Sequence, residues 1–479
     1  MSLRKNFSYN CILTLSNYLF PLIVYPWVSR VLGVSNIGIY NFVDSTINYF
    51  SLISMLGITT IGIREIASNN GDSQKLSKTF SSLISLNFIL TTIAIILLII
   101  ATSTIQQLQI HHDLFYIGIL KLIGNFLLID WFYKGIEDFR YITVRTIIIK
   151  CIYVISILLL VRNKNDVTIY YCLTCTTIFL NAITNIYHSK KLVSFKLSNI
   201  EINKYLYPVC IIGIYMLLTN MYTSFNTIFL GFTSSNEEVG FFSTSCKLFS
   251  IIIAFYTAWT NVAMPHISNM LAYKDKQDVN KFIRQSINTL LAFSIPSIII
   301  GCIFSPDIIS LLSGKGYDGA YLPTRILMPL LFIIGYEQIL IIQILIPLRK
   351  DKILLINSII GAILGIILNI FLVPYLNAIG SCIAWITSEL AVLICAQYFI
   401  SKNINLSFPW KSTAKSITTY LPAACLCILI YTNVTAILRF FITIPFMFVY
   451  ALTVEYYILK NELVIDSIKK LNTWIKNTL

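Results

Sequence analysis

Arg30-Val-Leu-Gly-Val-Ser-Asn-Ile-Gly38-Ile-Tyr40-Asn41, then the apolar run from Phe42 to Gly62, then Arg64-Glu65-Ile66-Ala67: this stretch decides how the chain folds. A turn of small and polar residues leads into about 25 mostly apolar ones, enough for a helix across the roughly 30 Å hydrocarbon layer of a membrane. Asn41, Asp44, Ser45 and Asn48 lie inside that run. Lipid does not tolerate four such side chains on its own side, so they must face protein or water. The stretch reads as a helix lining a polar cavity.

The composition around it is that of a polytopic membrane protein. Of 479 residues 57% are hydrophobic and 12% charged, and the mean hydropathy is +0.77, which excludes an ordinary soluble domain. The net charge of +14 does not indicate nucleic acid, because the basic residues fall between apolar runs, where topology places them. Eleven cysteines are scattered, nearly all within apolar runs, and four histidines are too few to suggest a catalytic zinc. Cys172 and Cys175 form a CxxC with no second pair, so the cysteines read as small apolar packers. No metal site, cofactor or catalytic group is expected.

Fourteen spans can be drawn. The first six cover 11–29, 37–62, 79–103, 114–132, 143–161 and 168–187. A second six cover 205–230, 239–265, 287–304, 323–348, 353–373 and 379–400, and two more 414–431 and 439–459. The expected fold is therefore all-α: two pseudo-symmetric six-helix bundles, 1–200 and 201–402, with 403–479 supplying two extra helices and a cytoplasmic tail. Arg4 and Lys5 precede a first run too long for a signal peptide, and no cleavage motif follows it, so it reads as a retained helix. With both termini inside, 26 of the 35 lysines and arginines fall on inner segments and six on outer ones. One span more or fewer would invert that bias, so it supports the even count and the orientation. The tail, with Leu463, Ile468, Leu471, Trp474 and Ile475 among lysines, suits an amphipathic surface helix. No loop exceeds about 20 residues, too short for an extramembrane catalytic domain.

An internal repeat sets the two bundles side by side. Leu32-Gly33 with Gly38-Ile-Tyr40-Asn41 matches Leu230-Gly231 with Gly240-Phe-Phe242-Ser243, at an offset of 202 residues. Both are Leu-Gly, a polar turn, then Gly-x-aromatic-polar opening a helix. In the eighth span Ser243, Lys247, Ser250, Ala254, Thr257 and Asn261 form one small and polar stripe. The seventh is striped by Tyr215, Thr219, Tyr222 and Asn226. Such stripes also serve as helix–helix glue. Lys247 and Asp44 favour a cavity, because a charge near mid-membrane costs roughly 3 kcal/mol unless hydrated or paired.

These residues resemble a known family. The Arg30 turn, the Gly38 opening, Gly57 and the Arg64-Glu-Ile-Ala ending look like bacterial O-antigen (Wzx-type) oligosaccharide flippases of the polysaccharide transporter family. So do Trp131-Phe-Tyr-Lys-Gly-Ile-Glu137 with Arg145, and Val239-Gly-Phe-Phe-Ser-Thr-Ser-Cys-Lys247. The superfamily, that of multidrug, oligosaccharidyl-lipid and polysaccharide flippases, also holds multidrug extruders and the lipid II flippase. Where related sequences often carry an acidic–basic pair this chain has Asn226-Thr227, so no ion-coupling role is carried over there.

The resemblance implies a transporter, not an enzyme, that flips a polyprenyl-diphosphate-linked oligosaccharide repeat unit (O-antigen, capsule or exopolysaccharide). It implies the inner to outer leaflet of the bacterial cytoplasmic membrane as the route. The partners it implies are the lipid-linked oligosaccharide, the bilayer, H+ or Na+ as coupling ion, and a polysaccharide polymerase with its chain-length regulator; nucleic acid is not among them. Such a substrate needs cations for its phosphates and polar or aromatic groups for sugar. Arg30, Lys150, Lys247, Lys121, Arg64, Asn41, Asn48 and Tyr153 are the expected substrate contacts. Asp44, Glu337, Glu389 and Asp130 are acids within spans, and either pair with those lysines or carry the coupling ion. A multidrug exporter is the first alternative. A polysaccharide polymerase is another, disfavoured because the largest outer loop offers only Asp307, Lys315 and Asp318.

Overall fold

The computed structural model describes residues 3–195, 200–273, 276–348, 350–404, 406–462 and 464–466. Among them the regular structure is helical. The first part of the chain forms α1 (Leu3–Met55), α2 (Ile58–Ser68), α3 (Ser73–Thr104), α4 (Gln106–Gln109), α5 (His112–Leu128), α6 (Asp130–Gly135), α7 (Phe139–Leu160) and α8 (Val167–Ser189). Then come α9 (Ile202–Thr223), α10 (Phe225–Thr233), α11 (Asn236–Tyr273), α12 (Lys276–Ile303), α13 (Ser305–Ser313), α14 (Tyr321–Leu327) and α15 (Leu330–Gln338). The last are α16 (Asp351–Ile404), α17 (Trp410–Asn433) and α18 (Ala436–Thr453).

Twelve stretches among the described residues are long and apolar enough to cross a membrane, and two of them, Ser8–Ser68 and Lys352–Lys402, run 61 and 51 residues. Each of those two is long enough for two crossings, which agrees with a count of about fourteen. Both break at one residue in the left-handed region: Gly33 (φ 77°) in α1 and Asn377 (φ 49°) in α16. Glycine and asparagine are the residue types that enter this region readily. The Asn377 side chain accepts a hydrogen bond from Ser234 Oγ at 2.7 Å, and the next backbone N–H, of Ala378, donates to Glu238 at 3.0 Å.

The chain divides into two compact units. Unit 1 comprises Met1–Ser243 with Leu312–Gly316 and Val373–Ala378, and unit 2 comprises Thr244–Leu311, Tyr317–Leu372 and Ile379–Leu479. Large apolar side chains such as Ile23, Phe371 and Phe441 are exposed, as expected of surfaces bathed by lipid rather than water. Helix association in lipid gains little from burying apolar surface, so close packing must hold each unit together.

In unit 1 that packing uses glycine. A Cβ on Gly62 would meet the Trp131 ring at 2.5 Å, and one on Gly135 would meet Ile66 at 2.6 Å, so α2 and α6 lie almost backbone to backbone. Around them Ile58, Ile61, Phe80, Trp131, Phe132 and Tyr133 form one buried cluster. The Arg64-Glu-Ile-Ala ending and the Trp131 stretch thus build the same core. The repeat glycines also meet. A Cβ on Gly38 would overlap the Asn236 carbonyl and one on Gly240 would overlap that of Val34, so the two helix openings cross at near-contact of their backbones.

Several expected spans are interrupted, 205–230 at Ser224 and 323–348 after Leu327 among them, and two breaks bear on the site. The run 37–62 is not one helix: α1 ends at Met55, Leu56 takes φ 37°, and α2 begins at Ile58. Gly57 donates its N–H to the Val209 carbonyl at 3.2 Å, an approach that a Cβ, 2.6 Å from that oxygen, would block. The run 114–132 breaks at Ile129 (φ 36°) between α5 and α6. Hydropathy stays continuous through both breaks and cannot report them. The amphipathic tail residues Leu463, Ile468, Leu471, Trp474 and Ile475 lie outside the described residues.

In unit 2 the Arg439 guanidinium donates to both Asp307 carboxylate oxygens at 3.0 Å, and its carbon sits 4.3 Å from the centre of the Tyr431 ring. This pair ties α13 to α18 beside a small core of Phe304, Ala423, Cys427 and Met447. Past α15 the backbone widens into a π-helical turn, Ile339–Leu345, whose Gln343 is fully buried with both amide atoms unpartnered among the described residues. Wide turns of this kind often mark functional positions.

Candidate functional site

The interrupted helices surround a cavity inside unit 1. Its volume is ≈ 520 Å³, and it opens where α1 breaks into α2 and α5 into α6. Ser45, Asn48, Tyr49 and Ser51 of α1, Thr59 of α2, Asn125 of α5 and Asn220 of α9 line it, with Ser224, Asp130, Trp131 and Lys134. Leu52, Met55, Leu128 and Ile129 complete the lining, which mixes amide and hydroxyl groups with apolar side chains, two aromatic rings, one carboxylate and one cation.

Local bonds fix these groups. Asn125 Nδ2 donates to Ser51 Oγ at 3.1 Å, and the Tyr49 hydroxyl donates to the Asn220 carbonyl at 2.5 Å. Asp130 Oδ1 accepts from Arg145 at 3.0 Å and from the Asn185 side-chain amide at 2.9 Å. The same amide donates to the Leu128 carbonyl freed by the helix break, and the Tyr133 hydroxyl donates to the Asn185 carbonyl at 2.6 Å. The break at Ile129 is therefore locked from beneath. Above it, the Trp131 indole N–H is buried without a partner among the described residues. Lys134, also on the lining, is half-buried.

The expected site residues separate into groups. Asn48 lines the cavity and donates to Asp44 Oδ2 at 3.2 Å. Asp44 is ion-paired with Lys121 at 2.5 Å, with side chains 19% and 8% exposed. That is the pairing expected of a charge in a low-dielectric interior. Asp130 is likewise ion-paired, with Arg145.

Among the described residues Lys150 has no carboxylate partner: its ammonium donates to Asn17 Oδ1 at 2.6 Å and Ser16 Oγ at 3.2 Å, 5.6 Å from the centre of the Phe20 ring. Tyr153 shares a hydrogen bond with Thr174 at 3.1 Å. Asn41 donates to the Ile37 carbonyl of its own helix at 2.7 Å. Arg30 is exposed and donates to the Pro26 carbonyl at 2.9 Å, while Arg64 is 64% exposed and pairs with its neighbour Glu65 at 3.3 Å. Arg30, Arg64, Asn41, Lys150 and Tyr153 do not line this cavity.

The remaining candidates belong to unit 2. Lys247 is half-buried on α11. Glu389 on α16 is 3% exposed and accepts the Trp385 indole N–H at 2.9 Å. Glu337 Oε2 is buried with no hydrogen-bond partner among the described residues.

Asn125, Asn220, Ser224 and Lys134 are functional candidates that sequence reasoning missed. In the seventh span the stripe of Tyr215, Thr219, Tyr222 and Asn226 was expected to be the polar face. The structure instead turns Asn220 and Ser224, one turn apart, to the cavity, and Asn226 is fully buried. Asn125, an amide in the middle of an apolar span, was the available signal.

Comparison with known proteins fits this arrangement. The profile of the family described as polysaccharide biosynthesis protein matches residues 3–271, more than half of the chain, and that of the lipid II flippase MurJ matches 248–454. An Escherichia coli K12 protein named "Putative O-antigen transporter" is 23% identical over 406 residues, covering 84% of this chain and 98% of that protein. Among solved structures, "Lipid II flippase MurJ, inward closed conformation" is similar with a TM-score of 0.76 at 15% identity, covering 95% of this chain and all of that one. An inward-facing MATE family multidrug transporter of the MOP superfamily is similar with a TM-score of 0.63 at 13% identity, covering 81% of this chain and 96% of its own. With more than half of its length matched, the chain belongs to the polysaccharide biosynthesis protein family.

Proposed function

We propose that the chain is an alternating-access flippase that carries a polyprenyl-diphosphate-linked oligosaccharide repeat unit from the inner to the outer leaflet of the bacterial cytoplasmic membrane, with both termini inside. The unit 1 cavity is the observation that carries this reading. A lining of Asn48, Asn125, Asn220, Ser51 and Thr59 offers paired donors and acceptors to sugar hydroxyl and acetamido groups. The rings of Tyr49 and Trp131 offer apolar faces with polar tips. Lys134 at this cavity, and Lys150 with its neutral partners, supply positive charge for a diphosphate; Lys247, Lys121, Arg30, Arg64, Asn41 and Tyr153 complete the proposed contacts. The bundles 1–200 and 201–402 are the proposed moving bodies, with 403–479 attached.

Coupling is proposed to reside in Glu337 and Glu389. Glu389 is buried and Glu337 half-buried, and neither has a basic partner among the described residues, which suits acids that carry a coupling ion within the membrane. Asp44 and Asp130 already have cations and fit an architectural role better. Membrane potential supplies a further drive: two negative charges moving outward through 100 mV, inside negative, release roughly 4.6 kcal/mol. A polymerase and its chain-length regulator are the proposed downstream partners.

The multidrug reading is the runner-up, supported by the MATE-like fold. It needs a cavity suited to organic cations, whereas Lys134 and Lys150 suit anions. Deleting the gene and locating the lipid-linked intermediates tests the choice. Complete repeat units held on the cytoplasmic leaflet support flipping; normal export of incomplete chains points to polymerisation, and unchanged glycan with increased dye sensitivity points to drug export.

A further inference from the structure

The lower half of α12 and the start of α17 in unit 2 carry a second site that has no part in the cavity above. A pocket of ≈ 450 Å³ takes Lys281, Arg284 and Asn288 of α12 together with Lys460. A smaller one of ≈ 130 Å³ continues from Asn288 to Ser412, Lys415 and Ser416 of α17. Leu291 and Ile295, farther along the same face of α12, line a third concavity of ≈ 490 Å³ with Phe332 of α15 and Ile417 and Leu421 of α17. Positions 284, 288, 291 and 295 are spaced by three or four, so one helix face passes from guanidinium to amide to hydrocarbon.

The two ends differ sharply in chemistry. The polar end holds four cations, and Glu462, 3.7 Å from Lys281 and accepting from Gln285, offsets one of them. Glu455, in the smaller pocket, is turned inward to the Tyr420 hydroxyl at 3.2 Å and the Asn461 amide at 3.0 Å. The groove is lined by aliphatic and aromatic side chains apart from Thr413 and the Tyr420 hydroxyl, and Trp410 stands at its rim, 74% exposed. Tryptophan favours the membrane interface. From Leu291 to Ile299 the groove follows α12 for roughly 12 Å at about 1.5 Å per residue, close to half of a roughly 30 Å hydrocarbon layer. That matches one acyl chain in one leaflet and is short for a polyprenyl tail.

We propose that this pocket and groove bind an anionic membrane phospholipid, its phosphate held by Arg284 and Lys415 and one acyl chain laid between α12, α15 and α17. The inference does not depend on the flipping reading. It rests on the inside-first orientation, which puts these cations at the inner leaflet, where basic pockets between helices meet anionic headgroups.

The full-length protein, stripped of lipid and returned to nanodiscs or detergent, provides the test by native mass spectrometry. Phosphatidylglycerol is titrated against phosphatidylcholine, with undecaprenyl phosphate as a competitor. The expected result is one phosphatidylglycerol retained in strong preference to phosphatidylcholine. The R284Q/K415Q variant is expected to reduce that preference roughly thirtyfold, and I417W, which fills the groove, to lower retention of both phospholipids. If the double variant does not fold, R284Q and K415Q are read singly. Equal retention of the two phospholipids by the unaltered protein, an unchanged preference in the charge variants, or displacement of phosphatidylglycerol by equimolar undecaprenyl phosphate would each overturn the proposal. A failure of this kind leaves glycan export untouched, whereas failure of the flipping reading would appear in export alone.

Discussion

Asp44 and Asp130 are both single acids in apolar runs, yet each has a cation within 3 Å, whereas among the described residues Glu337 and Glu389 have no basic partner and Glu389 accepts from an indole. Removing one member of a buried pair leaves the other charge stranded, at a cost of about 3–5 kcal/mol. Arg145→Ala is therefore expected to lower the amount of folded protein, measured by fluorescence-detected size exclusion, and Asp130→Asn introduced with it to restore part of the loss. An unchanged profile for Arg145→Ala would remove the Asp130 pair from the architecture. Glu389→Gln keeps shape and hydrogen bonding while removing the titratable group. It is expected to leave protein abundance normal but to abolish any dependence of transport on an imposed pH gradient. Retention of that dependence would place coupling elsewhere. These partners were not legible in the sequence, because Lys121 is 77 positions from Asp44 and Arg145 is 15 from Asp130, and hydropathy says nothing of which side chains meet.

At the scale of elements, glycine and helix breaks do most of the positioning. Gly38→Leu or Gly240→Leu would force a side chain into the opposing backbone, and overpacking of this kind costs roughly 1–3 kcal/mol or more. Either variant is expected to show a lowered melting temperature in detergent, while Ala67→Leu, at an exposed helical position, serves as the comparison. Equal melting for all three would show that the crossing tolerates separation. The repeat that predicted importance for Gly38 and Gly240 was readable as a pattern; that the two copies touch was not, since a repeat implies equivalence and says nothing of contact. The spans were readable because length and hydropathy set them. The breaks at Leu56 and Ile129 were hidden because their causes are distant: the Val209 carbonyl for one and Asn185 with Arg145 for the other. Missing those breaks meant missing the cavity, and with it Asn125, Asn220 and Lys134.

At the scale of the whole molecule, the family, the all-helical transporter fold and the polar lining in unit 1 converge on a sugar-bearing lipid as cargo. Replacing two amides of the lining, Asn125→Leu with Asn220→Leu, is expected to reduce surface glycan at least tenfold at constant protein level, as two sugar hydrogen bonds of about 1 kcal/mol each would require. Lys134→Ala is expected to act in the same direction, by removing the positive charge proposed to meet the phosphates. Normal glycan in both variants would move the cargo out of this cavity.

The most direct test of flipping is leaflet accessibility in proteoliposomes holding the purified chain and a labelled lipid-linked oligosaccharide loaded in one leaflet. With a membrane-impermeant lectin on the opposite side, flipping predicts that the accessible fraction rises well above that of protein-free vesicles, and that the Asn125→Leu/Asn220→Leu variant returns it to that baseline. An accessible fraction equal to that of empty vesicles, with the protein folded and inserted, would contradict it.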